Sequence, residues 1–242
     1  MVASEVRVVD SSIHIKTKVI SKNPIQLRHL GPKQNAPPGN SFDSMTSSGI
    51  LYLVSGPSGS GKTTLCRRLA LEGLAHYSTS CTTRTPREGE VNGRDYYFLT
   101  VPEFQEEIAN EAFLEHAEVH GNFYGTLLSE VLTFLDQGKD VVMDIDVQGA
   151  EQVRLHPNEK IQQALLDLFV MPATDEELEL RLRGRGTDPE DVIALRLKNA
   201  REEVEHWPKY SYRLLSTDKE SDYTLFKNLL LTQRLHTSRQ KD

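Results

Sequence analysis

Cysteine is nearly absent from this 242-residue chain: Cys66 and Cys81 stand alone, with no Cys-x-x-Cys spacing. Two such residues build neither a disulfide framework nor a thiolate zinc site, and they suit a reducing cytoplasm. His76, His116, His120, His206 and His236 show no metal-ligand spacing and read as structural or solvated. Long apolar runs are missing as well; nothing approaches the roughly 18 consecutive apolar residues that cross a bilayer. Positive charge is not in surplus, with 28 Lys and Arg against 35 Asp and Glu and a net charge of −7. That balance disfavours nucleic acid as a partner, so any phosphate chemistry has to come from a local pocket. What is present is an ordinary soluble composition, 26% charged and 38% hydrophobic. The length suits one compact unit of about 200 residues with an appendage.

The first 44 residues hold six basic side chains (Arg7, Lys16, Lys18, Lys22, Arg28, Lys33) against three acids (Glu5, Asp10, Asp43). They end in the Pro/Gly/Asn/Ser stretch GPKQNAPPGNSFDS, which reads as a flexible linker. Residues 1–48 are therefore expected to be an N-terminal extension without a secretory or transit signal. From Ile50 onward, strand-like runs alternate with helical patterns: ILYLVS, KTTLCRRLALEG, KDVVMDID, ALLDLFV and SYRLLS. That rhythm predicts an α/β fold with a parallel sheet flanked by helices. The Gly-, Tyr- and Thr-rich run from Thr82 to Ser129 breaks it and predicts a small mixed insertion.

Residues 56–63, GPSGSGKT, match G-x-x-x-x-G-K-[ST] between a strand and a helix, which is the context the motif needs. Gly56, Gly59 and Gly61, with Pro57, Ser58 and Ser60 between them, let successive N–H groups face phosphates at a helix N-terminus. Lys62 supplies a point charge to the outer phosphates, the Thr63 hydroxyl is the natural Mg²⁺ ligand, and Thr64 completes the turn. A nucleoside triphosphate with magnesium is implied, and the motif is silent about the acceptor. Arg84 and Arg87, three apart on a Pro-containing loop, are two planar forks that can hold a phosphomonoester. KDVVMDID ends in two acids, and strand alternation predicts Asp144 and Asp146 on the same side, at the ligand end of a parallel strand. Asp144 is placed to organise magnesium, directly or through water.

SCTTRTPREGEVNGRDYY (80–97), FLEH (113–116), HGNFYGT (120–126) and DIDVQG (144–149) together resemble the guanylate kinase family, over about residues 49–235. The resemblance implies ATP and GMP, or dGMP, as substrates and a phosphate-loop core (49–81, 130–180 and 202–235) followed by a tail (236–242). It also implies a GMP-binding insertion at 82–129 and a helical lid at 181–201. By the same resemblance Tyr96 and Tyr124 join Arg84 and Arg87 on the GMP phosphate. Glu115 faces guanine N1 and N2, Asp146 assists at N2, and the Ser80 and Thr126 hydroxyls reach O6. A base pocket of this kind rejects AMP, because the wrong base leaves the carboxylate unpaired.

Residues 181–201, RLRGRGTDPEDVIALRLKNAR, carry a glycine-interrupted arginine cluster before a helix that starts in capping-box spacing at Thr187 and Glu190. The resemblance assigns Arg181, Arg185 and Arg196 to the donor phosphates and leaves Arg183 solvated or structural. Catalysis then rests on Lys62, Arg84, Arg181, Arg185 and Arg196, which neutralise charge during transfer. Where the family carries an Asn-Asp pair near the donor base, this chain reads RLLSTDKESD, without the asparagine. A monomer or homodimer with small-molecule partners is expected. Two other readings exist: a guanylate-kinase-like protein-binding module without catalysis, and a same-fold kinase for another phosphorylated acceptor such as a ribose bisphosphate. The retained Lys62 and lid arginines argue against the first, and Glu115, Ser80 and Thr126 against the second.

Overall fold

The structure is a computed structural model that describes residues 48–184 and 190–239. In chain order these form β1 (Leu51–Ser55), α1 (Lys62–Leu71), β2 (His76–Tyr77), β3 (Cys81–Thr82), β4 (Tyr97–Phe98) and α2 (Val101–Ala109). There follow β5 (Phe113–Val119), β6 (Asn122–Leu127), α3 (Leu128–Leu135), β7 (Val141–Asp144), α4 (Val147–Leu155) and α5 (Glu159–Ala164). The chain continues through β8 (Leu165–Pro172), α6 (Asp175–Arg183), α7 (Glu190–Val204), β9 (Tyr212–Ser216) and α8 (Lys219–Arg234).

Five strands make a parallel sheet in the order β2-β7-β1-β8-β9. β1 reads as an unbroken apolar run because both of its faces are covered, as parallel strands require. Alternation then divides its side chains. Ile50, Tyr52 and Val54 pack under Leu65 and Leu69 of α1 and Phe226 of α8. Leu51 and Leu53 pack on the opposite face with Val131 of α3 and Val153 of α4. Burying one such Leu stabilises the fold by about 1.5–3 kcal/mol. The chain leaves β1 at a switch point, with β7 on one side and β8 on the other, and the crevice for ligands in such sheets lies beyond the carboxyl ends of the strands.

A second, four-stranded sheet runs β4-β3-β6-β5 and lies within residues 81–127. Its pairing is mixed: β3 and β4 are parallel, whereas β6 is antiparallel to both β3 and β5. His120 (φ +51°) and Gly121 (φ +74°) turn the β5–β6 hairpin, the two left-handed positions that match strand twist. Phe104 of α2 is fully buried and stacks on Phe113 and Phe123 of the hairpin at 4.4 and 5.4 Å, which closes the small core of this sheet. Thr100 starts α2 with a capping box, its hydroxyl accepting the Glu103 N–H while the Glu103 carboxylate accepts the Thr100 N–H. No helix among the described residues is long and apolar enough to cross a membrane.

Candidate active site

β1 leaves the sheet into Gly56 (φ +150°), where a Cβ would lie 1.9 Å from the Val170 carbonyl oxygen of β8, so only glycine fits. Gly59 and Gly61 follow at φ +89° and +95°, and the Pro57 carbonyl accepts the Ser60 N–H at 3.1 Å and the Lys62 ammonium at 3.5 Å. The N-cap of α1 is Gly61, which has no side chain to occupy the first-turn N–H groups. Those donors and the positive end of the helix dipole are therefore presented to an anion in the loop.

Asp144 ends β7 beside Val54 of β1, and its carboxylate accepts the Thr63 hydroxyl although 81 residues separate them. Hydroxyl and carboxylate oxygens at the start of this helix are the donor set that a hard divalent cation such as Mg²⁺ prefers. Two further residues, Asp146 and Glu203, bring charge to the same place. Burial pushes the Glu203 carboxyl upward from its ordinary range, Lys62 pulls it down, Asp146 raises it, and the Ser58 N–H lowers it.

On the second sheet, Glu115 and Thr126 are direct partners across β5 and β6, next to a register shift that re-aims the Glu115 side chain. The Ser80 and Thr126 hydroxyls lie 3.1 Å apart. Burial, opposed by hydrogen bonds from Thr126 and reinforced by Asp146, pushes the Glu115 carboxyl up to about 7. The bare Gly149 eases the approach of Glu115 to the start of α4: a Cβ there would lie 3.1 Å from Glu115 Oε2. Around the neighbouring loop, the Arg84 guanidinium packs 5.5 Å from the Tyr96 ring centroid and bonds toward Tyr124, whose ring is 6.1 Å from Tyr96. Burial raises the Tyr96 phenol, with Tyr124 and, across the cleft, Asp144 acting in the same direction. Tyr96 thus lies within electrostatic reach of Asp144 at the end of β7.

The guanylate kinase family model matches residues 48–233. The chain is 43% identical to the guanylate kinase of Cereibacter sphaeroides over 199 residues, covering 82% of this chain and 93% of that protein. It is 45% identical to the guanylate kinase of Escherichia coli over 197 residues, covering 80% and 92%. The crystal structure of guanylate kinase from Anaplasma phagocytophilum superposes with a TM-score of 0.63 at 33% identity, over 81% of this chain and 92% of that one. The chain belongs to the guanylate kinase family.

Within that family fold, the structure brings together most residues singled out from the sequence and alters the reason for several. Asp146 is not on the strand with Asp144, as alternation predicted; β7 ends at Asp144, and Asp146 is the N-cap of α4, its Oδ1 accepting the Gly149 N–H at 2.8 Å. A helix start, not strand period, aims it at Glu115. Arg84 and Arg87 are held in different ways. Glu90 takes the Arg84 guanidinium bidentately at 2.9 and 3.0 Å and also accepts the Arg87 backbone N–H at 2.7 Å, while the Arg87 side chain is exposed. One carboxylate therefore engages Arg84 through its guanidinium and Arg87 through its backbone N–H.

Arg181 lies on α6 against the phosphate loop, donating to the Ser60 carbonyl at 3.4 Å. Arg183 is held by Glu179 and, bidentately, by Glu190. Arg196 is half-buried on α7. Arg185 and the Thr187 end of the expected capping box lie outside the described residues. A cavity of about 800 Å³ opens beside the loop between Gly61, Arg68, Arg181, Thr217 and Tyr223. Arg68 lies 4.0 Å over the Tyr223 ring and pairs bidentately with Glu220 at 2.7 and 2.9 Å. Arg68, Glu90 and Glu203 were missed because each is one charged residue in a run of them; nothing local marks it as facing the site. For Gly149 the sequence carries a signal, a glycine early in a helix within DIDVQG.

Proposed function

We propose that the chain transfers the γ-phosphoryl group of ATP to GMP, or dGMP, giving ADP and GDP. The observation that carries this reading is the facing of two unlike sites across one cleft. On one side is an anion-binding glycine loop with Thr63 and Asp144; on the other, the enclosed Glu115 carboxyl with the exposed Asp146 near it and two hydroxyls beside it. This acidic side complements guanine, whose N1–H and N2–H₂ donate beside an O6 acceptor, and it opposes adenine, which presents no such pair of donors.

A phosphate oxygen of GMP is already anionic, so the chain has to align and neutralise rather than remove a proton. That oxygen bonds to the γ-phosphorus as the bond to the bridging β-oxygen breaks, and the electron pair leaves on ADP. Lys62 and the first-turn N–H groups of α1 hold the donor phosphates, with Arg181, Arg185 and Arg196 as further positive charge. Arg84, Arg87, Tyr96 and Tyr124 hold the acceptor phosphate, which requires Glu90 to share or release Arg84. Thr63 and, through water, Asp144 would hold Mg²⁺, which supplies charge neutralisation on the triphosphate when bound. Two free, buried cysteines suit a cytoplasmic place in purine nucleotide metabolism, as a monomer or homodimer.

A coupled ADP-release assay with GMP, dGMP, AMP, UMP and CMP tests this. GMP and dGMP are expected to turn over, AMP at least about 100-fold less efficiently, and Lys62→Ala to remove turnover with unfolding temperature unchanged. GMP binding without ADP release would sink the catalytic reading, and equal use of AMP would sink the guanine pocket.

A further inference from the structure

Arg181 is where α6 meets the rest of the donor side. Its two Nη1 hydrogens go to Ser216 Oγ at 2.7 Å and the Ser60 carbonyl at 3.4 Å. Its two Nη2 hydrogens go to the Thr217 carbonyl at 3.1 Å and to the Glu177 carboxylate. A guanidinium has five N–H donors, so these contacts commit most of them to the protein. They are not equivalent. The contact to Ser60, on the phosphate loop itself, is the longest and so the most readily exchanged.

Ser216 is 1% exposed and Asp222 5%. The Ser216 hydroxyl accepts from Arg181 and donates to Asp222 Oδ2 at 2.5 Å, while Asp222 Oδ1 accepts the Thr217 N–H at 2.9 Å. One carboxylate on the first turn of α8 therefore fixes both atoms of the β9 end that grip the guanidinium, the Ser216 hydroxyl and, through its peptide, the Thr217 carbonyl. The hydroxyl must accept and donate at once, a task that an apolar side chain cannot perform.

We propose that Ser216 and Asp222 are positioning residues of phosphoryl transfer that act through Arg181. They keep the guanidinium on the phosphate loop at the mouth of the donor cavity, so that the Ser60 contact is exchanged for a donor phosphate oxygen without reorientation of the side chain. The proposal rests on the donor-site reading given above. Pre-held charge of this kind lowers the reorganisation needed at the moment of transfer, which appears in kcat and in the ATP term and not in GMP binding.

Steady-state kinetics on the full chain test it, with ATP and GMP varied separately for Ser216→Ala, Ser216→Thr, Asp222→Asn and Arg181→Ala. Ser216→Ala and Asp222→Asn are each expected to lower kcat/KM for ATP by about tenfold, with KM for GMP within about twofold of the parent. Ser216→Thr, which retains the hydroxyl, restores most of that loss. Asp222→Asn keeps size and carries the test if Ser216→Ala fails to fold. Parent-like ATP kinetics in both variants would overturn the proposal, as would equal losses toward ATP and GMP that follow a lowered unfolding temperature. Parent-like kinetics in Arg181→Ala would instead overturn the donor-site reading beneath it.

Discussion

Glu115 shows how much a single side chain depends on its enclosure. An exposed glutamate ionises well below neutrality, yet burial lifts this one to about 7, with Asp146 adding to the shift and Thr126 opposing it. Only the carboxylate can accept from guanine N1–H and N2–H₂. KM for GMP is therefore expected to rise as pH falls below about 7, and in Glu115→Gln that dependence flattens while KM rises at every pH. The stability consequence has the opposite sense. The folded carboxyl sits above its unfolded value of 4.5, so its contribution is fully present below about 4.5 and is lost as pH rises through about 7. Ligand-free Glu115→Gln should therefore unfold at a higher temperature than the parent at pH 8, with the gap closing toward pH 5. A pH-independent gap would mean that the carboxyl titrates normally.

At the scale of elements, α4 is aimed and not merely packed. Asp146 caps it, and Gly149 within its first turn lets Glu115 of β5 approach from the other sheet. A methyl at Gly149 would stand 2.7 Å from two Ile145 side-chain carbons as well as 3.1 Å from Glu115 Oε2, so the Ile145 side chain must shift and the Glu115 carboxylate give by a few tenths of an ångström. Gly149→Ala is expected to raise KM for GMP about tenfold, with a smaller change in KM for ATP, since the added methyl meets Ile145 and Glu115. Equal change in the two KM values would show that the methyl acts elsewhere.

For the whole molecule, the five-stranded parallel sheet is the frame from which the phosphate loop and Asp144 project. Leu53, fully buried at the centre of β1, packs on the α3 and α4 face. Leu53→Ala should cost about 2–5 kcal/mol of unfolding free energy in urea. Because β1 ends in the phosphate loop, saturating ATP should recover part of that loss through binding to the folded state alone. A loss under about 1 kcal/mol would show that the sheet repacks around the gap.

The phosphate loop was legible in eight consecutive letters because its geometry is local: left-handed backbone at Gly56, Gly59 and Gly61 and a helix start at Lys62 are written within one loop. The α/β class was legible for the same reason, since apolar period reports whether one face or two are covered. The separated motifs carried the family resemblance. What the sequence could not supply was the choice among many similar charges. Whether Glu90 or a phosphate holds Arg84, whether Asp146 lies on a strand or caps a helix, and which carboxylates reach Lys62 all depend on residues that meet only after folding. Thr63 and Asp144 lie 81 positions apart, and Arg181 and Ser60 lie 121 apart. Such pairs are fixed by packing of the sheet and its helices, because a hydrogen bond needs partners placed to a few tenths of an ångström and local pattern places them only by element.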